Sequence, residues 1–148
     1  MIPKHFLRKN LSFKIDMKVF WDENGFLIID NFYSESECDK LRKRAELLIN
    51  DFDPQIHKSI FNTKKQNHVD DRYFLESGDK IRFFFEEGAF DHHGNFTNSI
   101  EFLINKIGHA LHDLDPVFEE FSHRKDFHKI AKFIGIKSPI LLQSMYIF

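Results

Sequence analysis

Cysteine is almost absent from this chain: one thiol, Cys38, in 148 residues excludes a disulfide within the chain and suits a reducing, cytoplasmic setting. There is no run of about 18 apolar residues, so no membrane span is expected. Charge of one sign is lacking too. A net charge of −2 offers no basic face for nucleic acid. The chain contains no Gly-rich phosphate loop, no Gly-x-Ser-x-Gly elbow and no Cys-x-x-Cys pair. Internal repeats, low-complexity tracts and dividing linkers are missing as well. Tryptophan occurs once and tyrosine three times, against 19 phenylalanines, so much of the core is expected to be flat, wholly apolar ring. One domain of ordinary size fits this length.

The chain is well punctuated. Met17 to Glu23 reads as a short helix closed at Asn24-Gly25, where Gly25 can take the left-handed C-cap geometry. Phe26 to Asp30 is a short apolar strand. Ser34 with Glu37 forms a capping box, and the helix it opens carries Cys38, Leu41, Ala45, Leu48 and Phe52 as one core-facing stripe. The same stripe makes Cys38 a small core residue rather than a nucleophile. Asp53-Pro54 ends the helix. Gln55 to Asp71 is polar and reads as a loop; Tyr73 to Glu76 and Ile81 to Glu86 read as strands. Asp91 to Asn95 is a turn. From Ser99 the spacing of Ile104, Ile107, Leu111 and Leu114 predicts a helix. Asp115-Pro116 starts the next one, and a third runs from about Asp126 to Ile134 and stops at Gly135.

The two ends stand apart. Met1 to Ile15 holds Lys4, Arg8, Lys9 and Lys14 with no acid, the composition of an organelle (mitochondrial) targeting segment or of a short flexible leader, so residues 1–16 are separated from 17–148. Pro139 to Phe148 is β-branched, aromatic and long aliphatic, and reads as a strand that belongs deep in a sheet. A strand of this kind left at an edge invites aggregation, so the chain reads as the first part of a larger structure. Helices precede a sheet that has only begun, and the fold class is α+β.

Nine histidines raise metal binding. On a helix His109, His112 and Asp115 would share a face, a spacing that zinc and iron sites use, although Asp115 is already placed as an N-cap. His92-His93 lies in a turn, where neighbours do not point at one ion. His68-Val69-Asp70 has the His-x-Asp form of an iron facial triad, but falls in the polar loop with no late histidine to complete it. The residues by themselves name no complete active site.

Several stretches together carry a resemblance. FWDENGFLIIDNFYSESECDKL (Phe20 to Leu41), YFLESGDKIRFFFEE (Tyr73 to Glu87), INKIGHALH (Ile104 to His112) and QSMYIF (Gln143 to Phe148) resemble the phytanoyl-CoA dioxygenase family. The resemblance implies helices packed on the first strands of an incomplete double-stranded β-helix (jelly-roll, cupin-like), with residues 17–148 as the N-terminal part of such a domain. It implies Fe(II) and 2-oxoglutarate as cofactors in the full-length family member. The reaction oxidatively decarboxylates 2-oxoglutarate to succinate and hydroxylates an unidentified small-molecule or acyl substrate. On that pattern Lys106 matches the lysine that binds the cosubstrate's distal carboxylate, and Met145 matches a residue that contacts 2-oxoglutarate. The alternatives are a solvated helix lysine and plain core packing. The family's iron ligands and clamping arginine fall after the strand at which this chain ends. No residue is therefore assigned a catalytic or metal role, and this chain is expected neither to hold iron stably nor to turn over. A non-catalytic interaction module derived from the same fold is the competing reading, and a small metal module on His109 and His112 a third.

Overall fold

The computed structural model describes residues 3–8, 13–55, 58–60 and 72–148. The chain divides into two compact units, residues 1–39 with 123–140 and residues 40–122 with 141–148. No helix among the described residues is long and apolar enough to cross a membrane.

The first unit joins strand β1 (His5–Leu7) in parallel to β2 (Ile28–Asp30), with helix α1 (Ile15–Asn24) between them and α6 (Lys125–Phe133). Part of the segment read as a leader thus pairs as a strand. Gly25 closes α1 as expected, at φ 75° with its N–H on the Trp21 carbonyl. The unit is held by rings: Phe20 meets Phe6 and Phe26 edge-on, and Phe127 packs on Phe32. Helix α2 (Glu35–Asn50) begins here with the anticipated capping box. Ser34 N–H donates to Glu37 Oε2 at 2.8 Å, and Glu37 N–H returns a bond to Ser34 Oγ at 3.3 Å. The Ser34 N–H and the Ser34 hydroxyl, which also donates to Glu37 Oε2 at 2.8 Å, together with Arg124 pull the Glu37 carboxyl down to about 2. Because the folded value lies below the unfolded one, this stabilisation is present above the ordinary glutamate range and is lost as pH falls through about 2. Glu37→Gln is therefore expected to flatten the acid limb of the stability curve. Denaturant unfolding at about pH 5 and about pH 3 measures it.

In the second unit, strand β3 (Ile81–Phe85) pairs antiparallel with β4 (Ile104–His109), and β4 with β5 (Ser144–Ile147). One sheet face packs on α2. Phe83, Phe85 and Ile107 meet Ala45, Ile49 and Phe52 there, with Phe52 stacked on Phe83 at 4.1 Å. Full burial of a side chain such as Ile107 contributes about 1.5–3 kcal/mol. Helices α4 (Leu111–Leu114) and α5 (Pro116–Ser122) follow β4, and Phe118 reaches Tyr146 of β5. Asp115 caps α5, its Oδ1 accepting the N–H groups of Val117 and Phe118.

Three elements differ from expectation. Residues 104–109 form β4, not a helix. A register shift opposite Phe84 and Phe85 leaves Asn105 without a β3 partner, so Ile104 and Ile107 both face the core. That bulge produces the three-residue apolar spacing that resembles a helical stripe. Residues 72–75 form a helical turn, α3 (Arg72–Leu75), where a strand was expected. A strand would send Tyr73 and Phe74 to opposite sides; the turn places both rings on Phe84, at 5.5 and 5.8 Å. The terminal strand is also shorter than read, and β5 forms the edge of this sheet among the described residues, with Ile147 exposed. Most of the segment read as a loop, 55–71, lies outside the described residues.

Candidate functional site

The sheet face turned away from α2 carries the polar groups. In register across β3, β4 and β5 lie Arg82, Gly108 and Met145, then Phe84, Lys106 and Ile147. Side chains directly opposite share a face, so Lys106 and Met145 project to the same side as diagonal neighbours. Lys106 is only 5% exposed. Its ammonium stands 5.3 Å from the Phe74 ring and 5.2 Å from the Phe84 ring, a cation over two π faces. Burial pushes its pKa below the ordinary lysine range. The reading of Lys106 as a solvated helix lysine is thereby overturned: it is a buried strand residue. Plain core packing does not describe Met145 either, since it is 44% exposed. A Cβ on Gly108 would meet Met145 Cγ at 3.0 Å, so glycine leaves the room in which the thioether crosses β4.

Arg82 shares this face but is turned onto α3. Its guanidinium lies 4.5 Å from the Tyr73 ring centroid and donates to the Tyr73 carbonyl. His109 is buried beside Lys106, its ring 5.5 Å from Phe74 and 5.4 Å from Phe84. Its Nδ1 contacts Ser77 Oγ at 2.6 Å. Burial first, and the Lys106 charge second, lower its pKa, so the ring is neutral near pH 7. A cleft of about 400 Å³ opens here, lined by Phe74, Leu75, Ser77, His109, Leu142 and Gln143 among others.

The shared metal face of His109, His112 and Asp115 does not form. His112 Nδ1 lies 2.8 Å from Ser144 Oγ, and Asp115 Oδ2 accepts from Arg44 Nε at 2.6 Å. With β4 a strand, the three residues belong to different elements and turn to different partners. No group of three His, Cys, Asp or Glu among the described residues is placed to hold a metal ion. His92 and His93 lie in the exposed turn built on Asp91. His68 and Asp70 lie outside the described residues, and Cys38 is partly buried on α2.

The family model described as Phytanoyl-CoA dioxygenase (PhyH) matches residues 21–148. This chain belongs to the phytanoyl-CoA dioxygenase family. A protein of Arabidopsis thaliana named Phytanoyl-CoA dioxygenase is 46% identical over 133 residues, covering 90% of this chain and 47% of its own length. Phytanoyl-CoA dioxygenase domain-containing protein 1 of Bos taurus is 42% identical over 133 residues, with 86% and 46% covered. The homologue of that protein in Caenorhabditis elegans is 43% identical over 135 residues, with 90% and 47% covered. The chain spans about half the length of these relatives.

The face described above suits one of the cofactors associated with this family better than the other. A buried ammonium beside a second nitrogen, under aromatic rings, fits a carboxylate of 2-oxoglutarate. Among the described residues it supplies no ligand set for iron. Lys106 and Met145, singled out by the resemblance, lie on one face of the sheet, and the Ser77–His109 contact was not anticipated. No spacing announced that contact: residues three apart on a strand point to opposite faces, and only the shared packing on Phe74 and Phe84 brings His109 beside Lys106.

Proposed function

We propose that this chain supplies the cosubstrate side of an Fe(II)/2-oxoglutarate-dependent dioxygenase pocket, as part of a double-stranded β-helix. Lys106 pairs with the distal carboxylate, and Met145 packs its thioether against the carbon chain. The observation that carries this reading is the burial of Lys106 between Phe74 and Phe84, on the face that β5 shares. Burying a cation is costly, and the attraction of a carboxylate brought to it is strong where little water screens the pair. Iron, when bound, supplies the oxidising chemistry; the residues of this chain bind and orient the cosubstrate and keep water from it. The iron ligands belong to the half of the relatives' length that this chain does not cover, a division supported by the coverage of 46–47%. The substrate is a small molecule or an acyl compound.

Calorimetric titration with 2-oxoglutarate is expected to show binding that Lys106→Met weakens. An assay with added Fe(II) is expected to release succinate only at background rate. Binding indifferent to Lys106 defeats its assignment, and sustained succinate release by this chain defeats the placement of the iron ligands. The exposed apolar side chains Leu142, Met145 and Ile147 favour a second reading, non-catalytic docking through β5. A monomer at high micromolar concentration counts against it.

A further inference from the structure

Beside Lys106 stands an imidazole with one nitrogen accounted for and one not. Ser77 Oγ has a single proton, and it goes to the Phe74 carbonyl at 2.5 Å. In the 2.6 Å contact with His109 Nδ1 the hydroxyl oxygen must therefore accept, and the ring must donate. The neutral ring thus carries its proton on Nδ1, leaving a lone pair on Nε2. That Nε2 atom is buried and has no hydrogen-bond partner. Buried polar atoms are rarely left so, and an exception calls for a role. The rings of Phe74 and Phe84 that flank His109 are the same two that flank the Lys106 ammonium. Ammonium and imidazole occupy one aromatic frame, with the cleft opening at Phe74, Ser77 and His109.

We propose that His109 is a second carboxylate-recognising residue beside Lys106, its Nε2 taking up one proton from solvent as the anion arrives and donating it in a hydrogen bond. The inference deepens the reading of Lys106 given above and rests on it. Without an anion, imidazolium is disfavoured by burial and by the neighbouring ammonium. Among the described residues Lys106 is the charged group that acts on this ring. Residues 74–77 present Phe74 and Ser77 to it, and β3 presents Phe84 while Arg82 is turned onto Tyr73. On β5, Ser144, opposite His109, is engaged by His112 from α4. A carboxylate reaching Lys106 cancels that repulsion and adds attraction, so the same ring that stays neutral alone gains a proton in the complex. A bare lone pair facing a carboxylate would repel it; an Nε2–H turns the contact into a charge-assisted bond.

The test is a two-bond ¹⁵N–¹H correlation spectrum of the imidazoles in the whole chain, with and without saturating 2-oxoglutarate at about pH 7.5. His109 is expected to show a neutral Nδ1–H ring alone and a doubly protonated ring in the complex. Calorimetry in buffers of different ionisation enthalpy is expected to show uptake of about one proton, with affinity falling up to about tenfold per pH unit above neutrality. His109→Gln is expected to remove that slope. If 2-oxoglutarate binds, depends on Lys106 and leaves His109 neutral, this inference fails while the reading of Lys106 stands. If 2-oxoglutarate does not bind, or binds regardless of Lys106, both fall.

Discussion

Replacing Lys106 with methionine is expected to make the protein more stable and worse at binding 2-oxoglutarate. The two effects have one cause. An ammonium held at 5% exposure between two phenyl rings has lost most of its hydration, and its pKa is lowered accordingly. Methionine keeps the length and the apolar stem without the charge. Removing the charge while keeping the volume of the side chain removes that desolvation cost from the folded state. The lost charge-assisted bond to a carboxylate weakens binding by about 10- to 100-fold. Thermal unfolding and calorimetry on the same two samples read both. The gap in melting temperature should close as pH rises. With the folded-state value depressed, the wild type sheds its proton first and regains stability through that window, while a methionine has nothing to shed. A variant that melts lower than wild type and binds equally well would make Lys106 a structural residue.

Asp115→Ala is expected to be the most damaging single change in the second unit. The carboxylate is 1% exposed and serves two elements at once. Its Oδ1 takes the N–H groups of Val117 at 3.1 Å and Phe118 at 3.2 Å, and its Oδ2 takes Arg44 Nε at 2.6 Å. Alanine uncaps α5 and leaves a partly buried guanidinium facing no carboxylate there. Breaking such a pair costs about 3–5 kcal/mol, of which a lost cap alone is about 1 kcal/mol. Asp115→Asn keeps an acceptor for the helix and loses the ion pair, so it should fall between alanine and wild type. Urea unfolding followed by circular dichroism gives the order. A loss below about 1 kcal/mol for alanine would put the pair in the class of exposed salt bridges.

Local chemistry was legible where a residue acts on its own backbone. The Ser34–Glu37 box, Gly25 at φ 75°, Gly135 at φ 106° and the Asp115-Pro116 start all stand where the sequence places them, because capping depends on a few neighbouring atoms. The stripe on α2 was legible for a related reason, since helical period and burial agree there. The second role of Asp115, toward Arg44, was not legible, because its partner is 71 residues away.

Periodicity misled wherever a tertiary contact set the spacing. Ile104 and Ile107 share a face because Asn105 is the extra residue of a bulge, a feature that exists only when β3 is paired alongside. Tyr73 and Phe74 bend into a turn because Phe84 accepts both rings.

The amino-acid sequence by itself determined the stop of α1, the starts of α2 and α5, the stop of α6, the phenylalanine-rich core and the family, since these follow from local backbone chemistry and from motifs. Only the tertiary structure decided that Lys106 is buried, that Met145 crosses Gly108 on the same face, and that His109 has an Nε2 with no partner. Each of those depends on which distant side chains close around the atom, and burial is a property of the assembled fold rather than of any residue in it.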